Sequence, residues 1–339
     1  MTDIFIKSFN RAFYLDRCLT SVYNNVTGHF KIKILDDGTP KKYLDKIREK
    51  HPQVEIFLSD SYDNKTKAVA ENLISGQAVN GFLIPTKFWY DNVEKASEYV
   101  IVTEDDVWFT EPLNVDELSA EAKKLNIHLL KLGWLGNLLE RNDLHLKSIG
   151  KNIESAQPKD LLLMPEKLME AFFYNRFKFF SLLYKLGKVD NRTRVKYWAL
   201  NSILMGFFRK EYWMEIWKNM DGKVDEKRQL INASVAYKKQ RNNPNFISRL
   251  KTESMKTTFQ SSASNSYHEY GFDFDANQFN HFINEAWLSG ELDPMQNYPK
   301  DFSLDYFKTF LDGKMNLEEY DKWVIQFRKQ YENTGCDTN

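Results

Sequence analysis

Four short apolar runs, separated by stretches of helical period, occupy the first 110 residues. They are Ile4-Phe5-Ile6, Lys31 to Leu35 (KIKIL), Val54 to Leu58 (VEIFL) and Tyr99 to Thr103 (YVIVT); the first reads as a buried strand and the others as strands. After the first, Leu15, Cys18, Leu19, Val22 and Tyr23 recur at helical spacing. After the second, Thr39 as N-cap and Pro40 in the first turn open a charged helix. Ala68, Ala70, Leu73 and Ile74 mark a further helix before the fourth run. Alternation of this kind requires crossover helices, and hence parallel pairing. Open parallel sheets bind ligands beyond the carboxyl ends of their strands. Two acidic clusters fall at such ends: Asp36-Asp37, and Glu104-Asp105-Asp106.

The pattern changes beyond residue 111. Leu129 to Leu132 and residues 203–208 (ILMGFF) read as further strands, and residues 226–240 as a helix. Residues 252–271 are rich in Ser and Thr and read as a loop; residues 302–332 form an amphipathic helical region, and the last seven residues are expected to fray. With 42% apolar residues the chain can build a large core, and 28% charged residues exclude wholesale disorder. Lys plus Arg equals Asp plus Glu, 47 against 47, so no global field recruits nucleic acid. Neither a disulfide nor a metal site is expected of Cys18 and Cys336, which stand at opposite ends of the chain. There is no basic n-region with an apolar h-region at the amino terminus, and no run of about 18 uncharged apolar residues. A cytoplasmic protein is the expectation.

Three elements come in order: Ser8-Phe9-Asn10-Arg11 after strand one, Ile34-Leu35-Asp36-Asp37-Gly38-Thr39 at strand two, and Val102-Thr103-Glu104-Asp105-Asp106 after strand four. In these residues the chain resembles family 2 glycosyltransferases of the GT-A fold. SFNRAFYLDRCLTSV stands where that family has a Ser/Thr-Tyr/Phe-Asn-Arg run, and Asp-Asp-Gly-Thr where it has Asp-Asp-Gly-Ser. The resemblance covers residues 3–110 and is thin beyond. It implies a Rossmann-like, mostly parallel central sheet flanked by helices, with a helical C-terminal extension. The corresponding division is a transferase domain at 1–250 (nucleotide half 1–110, acceptor half 111–250), an extension at 251–332, and a tail at 333–339.

The activity implied is inverting transfer of a sugar from a nucleotide donor, UDP-linked, to a hydroxyl of a glycan or lipid-linked acceptor, as in bacterial cell-surface polysaccharide or lipooligosaccharide synthesis. Departure of the diphosphate leaves charge that Mn²⁺ or Mg²⁺ neutralises, and such hard cations choose carboxylate oxygens. Glu104, Asp105 and Asp106 gather three carboxylates where a strand gives way to a loop; the family pattern makes Asp106 the direct ligand. Glu104 and His268 are the further candidate ligands, and Asp105 a nucleotide contact. Asp36 or Asp37 reads the base, more in keeping with Asp37, and Ser8 and Phe9 border the nucleotide. The segment Asn64 to Asn72 (NKTKAVAEN) resembles a family helix, but Glu71 replaces its Arg; Lys65 or Lys67 can supply the missing cation, and Lys67 is assigned to the nucleotide site. The general base is assigned to Asp225, with Glu226 second, ahead of LINASVAYKKQ. An acidic helix start favoured by the dipole accounts for the same two residues.

Other classes stay open. A sugar nucleotidyltransferase shares such a sheet but carries a Gly-rich basic loop after strand one, which SFNRAFYL lacks. A non-catalytic glycan-binding scaffold is the third class, against which stand Asp36, Asp37, Asp105 and Asp106. Residues 171–188 join Phe172, Phe173, Phe177, Phe179 and Phe180 to Arg176, Lys178, Lys185 and Lys188. A basic aromatic segment can lie on the anionic inner face of a membrane, pack on the core, or form a dimer seam.

Overall fold

The computed structural model describes residues 1–77, 79, 82–137, 141–220, 222–264 and 270–338. His268 lies outside the described residues. The four strands expected near the amino terminus are β1 (Thr2–Ser8), β2 (Phe30–Asp36), β3 (Glu55–Leu58) and β4 (Tyr99–Glu104). They pair in parallel in the order β3-β2-β1-β4. Their register sets Ser8 beside Asp36 and Lys7 beside Glu104, so three carboxyl ends meet on one edge.

The sheet continues through β5 (Leu129–Lys131), β6 (Leu144–Ser148), β7 (Ile153–Pro158), β8 (Gly206–Arg209) and β9 (Ile247–Leu250). The full order is β3-β2-β1-β4-β8-β5-β9-β7-β6. β8 runs antiparallel to β4 and β5, and β7 antiparallel to β9 and β6. Two of nine strands are therefore reversed and seven share one direction. This is an α/β fold with a mostly parallel central sheet.

Helices cover both faces, which is why the central strands β1 and β4 are buried along their length, whereas the edge strand β3 has no buried residue. Ile4 and Ile6 face one core, with α1 (Ala12–Asn25), α5 (Val115–Lys124), α10 (Ala276–Ser289), α11 (Leu304–Leu311) and α12 (Leu317–Glu332). Phe5 faces the other, with α4 (Thr86–Glu94), α6 (Glu166–Phe173), α8 (Lys210–Trp217) and α9 (Glu226–Lys239). Leu15, Cys18, Leu19 and Val22 bury the α1 stripe as their spacing requires. The remaining helices are α2 (Lys41–Lys50), α3 (Tyr62–Ser75) and α7 (Phe179–Lys185). No helix among the described residues is long and apolar enough to cross a membrane.

The C-terminal extension shares the first core with the sheet: Phe279, Ile283, Phe307 and Trp323 lie in one cluster with Ile4 and Phe13. Polar anchors lock it there. The fully buried Arg17 on α1 donates to the carbonyls of Pro294 (3.0 Å) and Gln296 (3.1 Å) and lies over the Trp108 ring. Trp287 Nε1 donates to Asp16 at 2.7 Å. Within the Ser/Thr-rich stretch, Met255–Thr257 pairs antiparallel with Val107–Phe109, directly after Asp106. Residues 333–338, expected to fray, are hydrogen-bonded instead: Asp337 N–H reaches Leu135 O (2.8 Å), and the buried Thr338 donates to Glu332 (2.7 Å).

Candidate functional site

The carboxyl edge of β1 and β4 carries alternating charge. Lys7 Nζ donates to Glu104 at 2.7 Å and lies over the packed rings of Trp89 and Trp217, 4.9 and 5.5 Å from their centroids. Arg11 forks across the next two acids, Nη2 to Asp105 (2.5 Å) and Nη1 to Asp106 (2.6 Å). Asp105 also accepts the Phe9 N–H at 3.1 Å. All four of these side chains apart from Glu104 are buried. Burial raises the carboxyl pKa values of Asp105 and Asp106; Arg11 opposes this, and the neighbouring acids reinforce it. Burial disfavours the Arg11 charge too, but Asp105, Asp106 and Glu104 more than compensate. One carboxylate oxygen, Asp106 Oδ1, is buried without a hydrogen-bond partner.

The β2 end separates its two aspartates by role. Asp36 is fully buried and accepts the N–H groups of Gly38 (3.0 Å) and Thr39 (2.8 Å) and the Thr39 hydroxyl (2.6 Å). Burial still pushes its pKa up to about 6. Its oxygens are spent closing the turn. Asp37 accepts Ser59 Oγ (2.6 Å) and, on its other oxygen, Lys65 Nζ. A carboxylate offers about four acceptor positions, so Asp37, which keeps a little exposure, retains capacity for a ligand N–H. Gly38 has φ +146°, and a Cβ there would lie 2.8 Å from the Phe9 ring and 2.9 Å from Lys65 Cβ. The close approach of those three residues therefore requires glycine.

Lysine placement reverses the sequence expectation. Lys65 is buried against Asp37 and the Leu83 carbonyl, whereas Lys67 is exposed and pairs with Glu71 at 3.7 Å. The helix turns Lys65 inward and Lys67, two residues on, away from it. Asn10, at φ +53°, donates to Asn277 (2.6 Å); Asn277 in turn donates to Asn72 (2.6 Å), and Asn284 donates to the Asn10 carbonyl (3.0 Å). This buried amide chain ties the β1 end to α3 and α10.

The loop leading into α9 adjoins this edge: the Ile84 N–H donates to the Gly222 carbonyl at 2.9 Å, next to Leu83, whose carbonyl accepts Lys65. Asp225 caps α9, accepting Arg228 N–H at 2.9 Å and the Tyr174 hydroxyl at 2.7 Å. Burial would raise its pKa, but these hydrogen bonds lower it overall. Glu226 reaches solvent with protein crowded around it; that crowding and the Asp225 charge raise its pKa. Burial raises the pKa of the Tyr331 hydroxyl on α12, and the charges of Asp106 and Glu104 add to it.

The donor set fits a divalent cation held largely by its ligand. Among the described residues no three His, Cys, Asp or Glu side chains converge on one point. Arg11 already neutralises two acids, leaving Asp106 Oδ1 as the free oxygen. One carboxylate suffices where substrate phosphates complete the shell. Glu104 is committed to Lys7. Two surface hollows of about 360 and 300 Å³ lie at the opposite end, near Glu98 and Tyr99 at the start of β4.

Sequence reasoning missed Lys7 and Asn277, gave Arg11 no role of its own, and named Lys65 only as the alternative to Lys67. A lysine within the buried β1 run was the readable signal for Lys7, since such a charge needs a partner.

No protein-family model matches the chain, and no curated protein matches it. Solved structures give likenesses at low identity. TarS 1-349 of S. aureus in complex with UDP-GlcNAc is 11% identical, with 98% of this chain and 72% of that one covered and a TM-score of 0.42. The mannosyltransferase PcManGT from Pyrobaculum calidifontis, in complex with GDP-Man and Mn²⁺, is 12% identical, with 97% and 73% covered and a TM-score of 0.37. The galactosyltransferase LgtC, in complex with donor and acceptor sugar analogs, is 12% identical, with 88% and 98% covered and a TM-score of 0.37. These are likenesses of chain course and fix no residue correspondence.

Proposed function

We propose that this chain is a glycosyltransferase of GT-A type, moving a sugar from a nucleoside diphosphate donor, UDP-linked, to an acceptor hydroxyl of a glycan or lipid-linked glycan. The observation that carries the reading is the meeting of Ser8–Arg11, Asp36–Gly38 and Glu104–Asp106 on one carboxyl edge. Asp37 accepts the base N–H, with Lys65 holding its carboxylate in place. Ser8 and Phe9 border the nucleoside, and the buried Asp105 acts on that site only indirectly, by accepting the Phe9 N–H. Mn²⁺ or Mg²⁺ held at Asp106 would supply positive charge to the diphosphate oxygens. Glu226 takes the proton of the acceptor hydroxyl, whose oxygen attacks the anomeric carbon. The bond to the diphosphate oxygen breaks, and the electron pair leaves with the nucleotide, inverting the centre. A raised pKa suits a base, whereas Asp225 is committed to its helix cap. The product class is a bacterial surface glycan, made in the cytoplasm.

Donor turnover tests this. Glu226→Gln is expected to lower kcat about a hundredfold or more, with donor binding retained. Full turnover in that variant, or in Asp106→Asn with Mn²⁺ dependence intact, overturns the assignment.

A further inference from the structure

Among the described residues thirteen large apolar side chains are exposed, and six of them fall between Leu168 and Val195. The centre of this patch is the turn joining α6 to α7. Asn175, Phe177 and Lys178 adopt φ of +51°, +53° and +55°, a left-handed run that L-residues avoid. It leaves Phe177 98% exposed. The base of the turn is fixed: Asn175 accepts the Ser181 N–H at 3.1 Å, and Arg194 stacks 3.7 Å from the Phe180 ring while donating to the Phe172 carbonyl. Strain is thus spent to hold an aromatic ring in water on a rigid support. Leu182, Tyr184 and Leu186 are exposed beside it.

Charge identifies the occupant. Residues 171–188 contain Arg176, Lys178, Lys185 and Lys188 and no Asp or Glu. Arg176 shares Glu170 with Arg228 (3.2 and 2.8 Å), while Lys178, Lys185 and Lys188 form no ion pair among the described residues. A second copy docked by a twofold axis would set this patch against itself and press like charges together. A broad negative surface with an apolar interior satisfies both features. We propose that the α6–α7 turn docks on an anionic phospholipid bilayer, with Phe177 entering the interface. This docking is independent of the transferase reading.

The test is co-sedimentation of the full chain with vesicles of phosphatidylcholine alone, or with about a third phosphatidylglycerol. Binding to the anionic vesicles alone is expected, weakening from 0.1 to 0.5 M salt. Phe177→Gly is expected to bind about tenfold more weakly, with its thermal midpoint unchanged or raised because glycine relieves the positive φ. Lys185→Glu combined with Lys188→Glu is expected to weaken binding about tenfold as well. Three results overturn the proposal: no binding to anionic vesicles, binding that neither variant weakens, or a dimer or RNA complex that Phe177→Gly abolishes while vesicle binding persists.

Discussion

At the scale of single residues, the site is an exercise in burying charge with its counter-charge. Arg11 spans two buried aspartates at 2.5 and 2.6 Å. Arg11→Ala leaves Asp105 and Asp106 buried without it, and urea denaturation is expected to record a loss of about 3–5 kcal/mol; Arg11→Lys, which keeps charge but loses the fork, is expected to fall between. Asp36 titrates with the opposite logic to a salt-bridged acid. Its folded pKa of about 6 lies above the ordinary 3.8, so between these values the folded chain holds a proton that the unfolded chain releases. Its contribution to stability therefore falls as pH rises from about 4 to 6, by about 3 kcal/mol, and the penalty is complete above that. Asp36→Asn does not titrate, so its stability relative to the parent is expected to rise across that window, read by denaturation at pH 4 and pH 7. The acids at strand ends were legible because carboxylates cluster rarely in apolar company. Arg11 and Lys65 were not assigned, because a cation in sequence looks the same whether it meets water or a buried acid.

At the scale of elements, β1 and β4 were legible because burial on both faces leaves apolar runs, and β2 and β3 because short β-branched and aromatic runs stand between helical stretches. β6 (LHLKS) and β7 (IESAQP) were not, since an edge half in solvent alternates weakly. α10 escaped for a subtler reason. Asn277, Asn280 and Asn284 lower its apparent apolarity, yet all three are buried, and Asn277 and Asn284 bond to the β1 end. At the N-terminus of α9 one of two adjacent acids, Asp225, is tied into the structure. Asp225→Ala removes a helix cap and is expected to cost about 1 kcal/mol, whereas Glu226→Gln, with no bond to lose, is expected to leave the denaturation midpoint unchanged.

At the scale of the whole molecule, the alternation of strand and helix set the first half of the sheet, but not the way the C-terminal extension packs. Arg17 and Trp287 fasten that extension to α1. No local pattern joins residues so far apart in sequence. The central claim is that this carboxyl edge holds a nucleoside diphosphate. The most direct measurement is the thermal midpoint with UDP, GDP, CDP and their sugars, with and without Mn²⁺. A ligand at a hundredfold excess over its Kd stabilises the folded state by about 2.7 kcal/mol. A midpoint rise with UDP-linked donors, larger with Mn²⁺ and lost in Asp37→Asn, is the predicted result. No rise with any nucleotide, in the presence or absence of Mn²⁺, would contradict it.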